Sequence, residues 1–271
     1  MSMQYQLQDA EQWAAFSGDN NPIHFNLAAA RQLGLDVLCI HGMRAMLDIK
    51  ASLGIQAPVV MPQDQSLLFS CRLDKPVFYQ QAHLLETEQL SRNGQIQLRS
   101  TLRNALSQEG CINAKLVAAP DLTKGPEAED GQISTLEMLT SSRQLSAMTG
   151  QSLNSWNVLD ALLFKQLIHS PETMCRVRDV LPELDCTDLM AVFSQMQMVQ
   201  THHETHFSPS LLAHDDITVF AEPLSFSILP ALMVGKSHSG FILRVAIQAF
   251  VDRKALIRSS ITLKATTFGV E

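Results

Sequence analysis

The residues with the clearest chemical potential are Asp19 and His24, which stand in the string Phe-Ser-Gly-Asp-Asn-Asn-Pro-Ile-His-Phe-Asn at 16–26. A carboxylate beside an imidazole makes an acid/base pair. An ionised Asp can accept a proton from water, while a His near its natural titration range donates or orients. Adding water across an activated double bond needs those two transfers. Gly18 can end a helix in a left-handed conformation and Pro22 stiffens the loop that follows, so Asp19 and His24 can be held towards one point. By spacing alone the same string also reads as a surface loop rich in turn formers. A second string, Ile-His-Gly-Met, follows at 40–43.

Other candidates carry less. THHETH at 201–206 offers His202, His203 and His206, but lacks the i, i+4 histidines that place two metal ligands on one helical face, and reads as a polar surface segment. The Met-rich stretch at 190–199 suits core filling better than contact with an acyl group. Arg72, Lys75, Arg99 and Arg103 could meet carrier phosphates or simply face water, and the sequence does not choose among them. No glycine-rich nucleotide loop and no nucleophile elbow is present, which leaves nucleotide-dependent redox, phosphoryl transfer and serine hydrolase chemistry without support.

These residues need elements to hold them. Trp13 and Phe16 have helical spacing, and a short helix is expected over 8–16, ended by Ser17-Gly18. A second helix is expected over 41–53, with Met43, Met46, Leu47 and Leu53 towards the core and Arg44, Asp48 and Lys50 elsewhere on the wheel. From 66 to 118 the segments SLLFSCRL, HLLETEQLS, IQLRSTLRNAL and CINAKLVAA alternate apolar and polar residues between turn signals at 92–94 and 108–110, the grammar of an antiparallel meander. Helical residues at 134–169, then strands ITVFAEPLSFSIL, GFILRVAIQAFV and ALIRSSITLKATT, repeat that order. The Pro-, Gly- and acid-rich APDLTKGPEAEDGQI marks the boundary, giving units over 1–120 and 133–271 with a linker at 121–132.

Composition agrees with a globular pair of domains, since 46% apolar and 17% charged residues supply ordinary cores. A net charge of -7 without dense basic runs argues against nucleic acid as a partner. No stretch reaches the roughly 20 apolar residues of a membrane span, and no apolar leader opens the chain. Five scattered cysteines without a CxxC pair fit reduced thiols in a cytoplasmic protein.

SGDNNPIH with a downstream IHGM resembles the signature of the MaoC-like (R)-specific enoyl-CoA hydratases and their dehydratase relatives. The resemblance implies an α+β double hot-dog fold, each antiparallel sheet wrapped around a central helix. It implies reversible hydration of trans-2-enoyl thioesters to (R)-3-hydroxyacyl thioesters carried on coenzyme A or acyl carrier protein, with no metal or redox cofactor. It places water activation on Asp19 and His24, organisation of the loop on Asn21, and a backbone N–H for the thioester carbonyl on Gly42 at the start of the central helix.

The sequence departs from the family at three points. Arg44, Asp48 and Lys50 intrude on the helix that lines the acyl tunnel, which points to a short or polar acyl group or to lost activity. The second half shows Met-Thr-Gly at 148–150, but ungapped alignment puts Gln151 at Asp19 and Trp156 at His24, so that half lacks the pair. The order of active and degenerate halves is the reverse of the eukaryotic two-domain hydratases. A non-catalytic acyl-thioester-binding module and a hot-dog thioesterase stand as alternatives. The halves are expected to pair their sheets edge to edge, as a monomeric pseudo-dimer or within a homodimer.

Overall fold

The computed structural model describes residues 1–92, 94–122, 128–184, 186–195, 197–212, 222–236 and 240–266. Residues 123–127 of the expected linker, Asn93 in a turn, Thr267 and residues 217–221 of one expected strand lie outside them.

A short edge strand β1 (Ser2–Gln4) leads into helix α1 (Leu7–Ser17). The Asp9 carboxylate accepts the Gln6 N–H at 2.8 Å, satisfying one of the donors that every helix start leaves over. Gly18 ends the helix with φ 78°, a conformation glycine adopts without strain, and its N–H reaches the Ala14 carbonyl. Trp13 and Phe16 are buried as their spacing requires. After a loop and a short helix α2 (Leu27–Gln32), capped by the Asn26 side chain, helix α3 runs over Gly42–Val60. It extends past the expected end at 53 and takes in Pro58 in its last turn.

Strands β2 (Leu67–Leu73), β3 (Ala82–Arg92), β4 (Gln95–Asn104) and β5 (Gly110–Ala118) form the antiparallel meander that the alternation predicts, and α3 packs on β3, β4 and β5. The second half repeats the plan with β6 (Gly131–Ile133), α4 (Thr135–Thr149), α5 (Ser155–His169), α6 (Pro171–Arg178), α7 (Leu189–Gln195), β7 (Gln197–Phe207), β8 (Leu224–Ile228), β9 (Leu232–Lys236), β10 (Gly240–Val251) and β11 (Lys254–Thr266). Here α5 packs on β10 and β11 as α3 does on the first sheet.

Among the described residues the strands make one eleven-stranded sheet in the order β1-β3-β4-β5-β2-β7-β11-β10-β8-β6, with β9 beside β10. The halves join where β2 and β7 pair antiparallel, Leu67 opposite Phe207 and Cys71 opposite His203. The architecture is α+β, a double hot dog. None of the five cysteines is in a disulfide. No helix among the described residues is long and apolar enough to cross a membrane.

Three expectations are corrected. Arg44, Asp48 and Lys50 are not off the core face: each is at most 3% exposed. Residues 43–51 of helix α3 are buried all round, by the sheet and by α1, α4 and α5, so the charges there are neutralised inside. Arg44 donates to Asp48 at 2.6 Å, to Asp9 at 2.9 Å and to the Met148 carbonyl at 2.8 Å, and the Tyr5 hydroxyl donates to Asp48 at 3.0 Å. Lys50 meets Asp160 of α5. THHETH is no surface segment throughout, because it lies in β7 and alternation turns His203 and Thr205 fully inward. Trp156 does not occupy the place of His24: it sits in the first turn of α5 and stacks on Phe207, centroids 4.6 Å apart.

Candidate active site

Residues 19–41, between α1 and α3, fold over the start of α3. The Asp19 N–H is held by Ser17 Oγ at 3.1 Å, and Asp19 Oδ1 accepts the Asn21 N–H at 3.2 Å. Asn21 Oδ1 accepts the Ile23 N–H and so caps the 3-10 turn Pro22–His24. That turn brings the His24 ring inward, where Nδ1–H donates to the Cys39 carbonyl at 2.9 Å. A carbonyl only accepts, so Nδ1 carries the proton and Nε2 presents a lone pair.

His41, which precedes α3, closes the cluster. Its Nε2–H donates to the Asp19 carbonyl at 2.9 Å, and its ring lies on His24 with centroids 3.7 Å apart. Its Nδ1 has no hydrogen-bond partner. The Tyr79 hydroxyl donates to the His24 carbonyl at 2.9 Å and pins the turn from the strand side. Asp19, Asn21 and His24 are each 7% exposed.

Burial sets the protonation of this cluster. It raises the Asp19 carboxyl, a shift that nearby His24 partly opposes. Burial, reinforced by neighbouring His41, pushes His24 down to about 3, and burial pushes His41 down to about 4. Both imidazoles are therefore neutral near pH 7. The expectation that His24 titrates near its natural range is corrected: it is a neutral acceptor.

The ligating atoms of Asp19, His24 and His41 lie within 4.8 Å of one another. Imidazole nitrogens bind zinc at about 2.0–2.1 Å, and rings that converge on one ion splay apart around it. The two rings lie 3.7 Å apart and are tilted by 34°, with His24 Nδ1 and His41 Nε2 already turned to backbone carbonyls.

Gly42 opens α3, so its N–H belongs to the first turn, whose amides point away from the helix without intrahelical partners. A Cβ at this position would run into Leu73 Cδ2, so the leucine side chain would have to move.

Asp19, Asn21, His24 and Gly42 all border one cavity of about 470 Å³. The four expected site residues are thus brought together. The opposite wall belongs to the second half: Phe164 of α5, Phe193 of α7, Met198 and Gln200 of β7, and Leu263 of β11. Met198 lines the cavity as well as filling core, and no pattern in the sequence marked Phe164, Phe193 or Gln200. His41 was visible only as part of the IHGM string. Arg44, Asp48 and Lys50 do not border the cavity, so the inference of a polar or shortened tunnel from them falls. Of the basic residues considered for carrier phosphates, Lys75 is at the rim, while Arg72 and Arg103 pair with Asp74 and Glu86.

Residues 2–106 match the family model described as "MaoC like domain". The match is a likeness of that part of the chain to the MaoC-like domains. The fold is shared over nearly the whole chain with solved structures. A putative MaoC domain protein dehydratase from Chloroflexus aurantiacus is 10% identical, with 99% of this chain and 94% of that chain covered and a TM-score of 0.54. A MaoC-like dehydratase is 10% identical over 99% and 96% of the two chains, TM-score 0.51. A conserved hypothetical protein from Mycobacterium tuberculosis with a double hotdog fold is 11% identical over 99% and 94%, TM-score 0.51. At such identities the likeness is one of fold. No curated protein matches the chain in sequence.

Proposed function

We propose that this chain is a hydratase or dehydratase that interconverts trans-2-enoyl and (R)-3-hydroxyacyl thioesters, carried on coenzyme A or acyl carrier protein, with one active site per chain. The observation that supports it best is that buried Asp19 and His24 border the same mostly apolar cavity as Gly42 at the start of α3. We take residues 1–120 as the active unit, 121–132 as its connection and 133–271 as the unit that completes the cavity; β6 already begins at Gly131.

The chemistry balances with these groups. Neutral His24 accepts a proton at Nε2 from water as the water oxygen bonds C3 of the enoyl thioester. The electron pair of the double bond moves towards the thioester carbonyl, whose growing negative charge is met by the Gly42 N–H and the start of α3. C2 takes a proton from the Asp19 carboxyl, which burial keeps prone to protonation. Proton return from His24 to Asp19 resets the pair, and the reverse sequence is dehydration. Asn21 holds Asp19 through its backbone N–H.

The test is loss of enoyl-thioester absorbance from crotonyl-CoA, with product stereochemistry and free thiol measured alongside. An (R)-3-hydroxy product without thiol, absent in Asp19→Asn and His24→Ala, supports hydration. Thiol release would make the protein a thioesterase, and binding without turnover on short, long and carrier-bound substrates would make it a binding module.

A further inference from the structure

Strand β7 carries an irregularity beside the cavity. Thr262 of β11 lies opposite His202 and Leu263 opposite Gln200, so Thr201 is an inserted residue without a partner of its own. A bulge of this kind turns the side chains before it to the other face. His203, Thr205 and Phe207 point inward after the bulge. Before it, Met198 and Gln200 do, while Val199 is 40% exposed. Gln200 thereby enters the cavity as a polar side chain on a wall of Phe164, Phe193, Met198 and Leu263.

Its amide nitrogen is held only by long contacts. Gln200 Nε2 is 3.5 Å from His203 Nδ1, 3.5 Å from the His202 carbonyl and 3.7 Å from Met43 Sδ, all long contacts, and Oε1 has no partner among the described residues. The orientation follows from the buried cluster behind it. Asp160 accepts from His203 Nε2 at 2.9 Å, from Thr205 Oγ1 at 2.6 Å and from Lys50. With Nε2–H given to Asp160, His203 Nδ1 is an acceptor and draws the amide nitrogen, not the amide oxygen, towards itself. The amide nitrogen also lies 3.7 Å from the sulfur of Met43, the residue after Gly42.

We propose that Gln200 is a substrate-contacting residue whose Nε2–H donates to the thioester carbonyl oxygen alongside the Gly42 N–H, so that the second half supplies a donor to the first half's site. The assignment rests on the thioester reading of the cavity. Lys50, Asp160 and His203 then act as positioning residues for that amide.

Gln200→Met removes the donor and keeps the length, and the long contacts it gives up leave the unfolding midpoint unchanged. Its kcat on an enoyl-CoA falls roughly a hundredfold with KM changed little, the pattern of a donor needed most in the transition state. A readout free of turnover uses cinnamoyl-CoA bound to the Asp19→Asn protein. A carbonyl polarised by hydrogen bonds shifts the cinnamoyl absorbance to the red, and adding Gln200→Met reduces that shift while binding persists. An unchanged kcat together with an unchanged shift overturns the proposal, as does failure of cinnamoyl-CoA to bind the Asp19→Asn protein. If wild type hydrates no enoyl thioester, the proposed reaction fails. A shift that depends on Gln200 then still supports the contact with a thioester.

Discussion

The two halves share a frame and differ in what their loops do. Between its first and central helices the first half places residues 19–41, which hold the Asp19, His24 and His41 cluster. The second half joins α4 to α5 through residues 151–154 alone, although Gly150 ends α4 at φ 68° just as Gly18 ends α1 at φ 78°. In exchange it inserts α6 and α7 between α5 and β7, where the first half needs only residues 61–66, and Phe193 of that insertion lines the cavity. The repeated scaffold is therefore asymmetric in its loops: one half holds the groups proposed for acid/base chemistry, the other contributes Phe164, Phe193, Met198 and Gln200 to the same cavity.

The largest expected effect separates the halves most sharply. Asp19→Asn and His24→Ala lower turnover of an enoyl thioester by about a thousandfold or more, within the usual range for removing a positioned acid or base. Gln151→Ala, just past the corresponding glycine of the second half, leaves the rate within about twofold. Equal losses in all three, measured by steady-state hydration, would break the asymmetry.

Next come the charges that stitch the halves. Asp160→Ala strands Lys50 and His203 inside the protein and costs about 3–5 kcal/mol of unfolding free energy in urea, the usual penalty for breaking a buried pair. The double change Lys50→Met with Asp160→Leu restores part of it, because no charge is then left alone.

Acid sensitivity has the same origin. Burial lowers His24, His41 and His203 below the unfolded value near 6.5, so below that pH the unfolded chain takes up protons that the folded chain refuses. Stability is then full above about pH 6.5 and falls as pH drops. Asp160, held far below the ordinary carboxylate range by His203 and Lys50 despite its burial, adds to the loss below about pH 4. Urea midpoints from pH 7.5 down to 4 test this, and a flat profile would contradict it.

The smallest effect belongs to the wall. Phe193→Ala leaves crotonyl turnover within a few fold and shifts preference towards longer or bulkier acyl chains by about 1–3 kcal/mol in relative kcat/KM.

Local pattern carried much of this in the sequence. Alternation marked β2 to β5 and β10, helical spacing marked α1, and the loop and IHGM strings marked residues that border one cavity. What escaped depends on partners far along the chain. Arg44 and Lys50 read as surface charges on a helical wheel, and only α1, α4 and α5 packed around α3 explain their burial. Trp156 fell opposite His24 because an ungapped comparison cannot register the exchange of residues 19–41 for 151–154. Gln200 depends on a bulge, which has no signature in residue type.

Strand β7 is both the edge by which the halves meet and the carrier of His203, Met198 and Gln200. Sliding it by one residue against β2 would turn all of these side chains to the opposite face. Lys50 and Asp160 would lose their histidine at the same moment as the cavity lost its far wall. Assembly is thereby proofread: a chain joined in the wrong register loses its buried ion pair and its cavity together, and the population that survives folding is the population with the cavity formed.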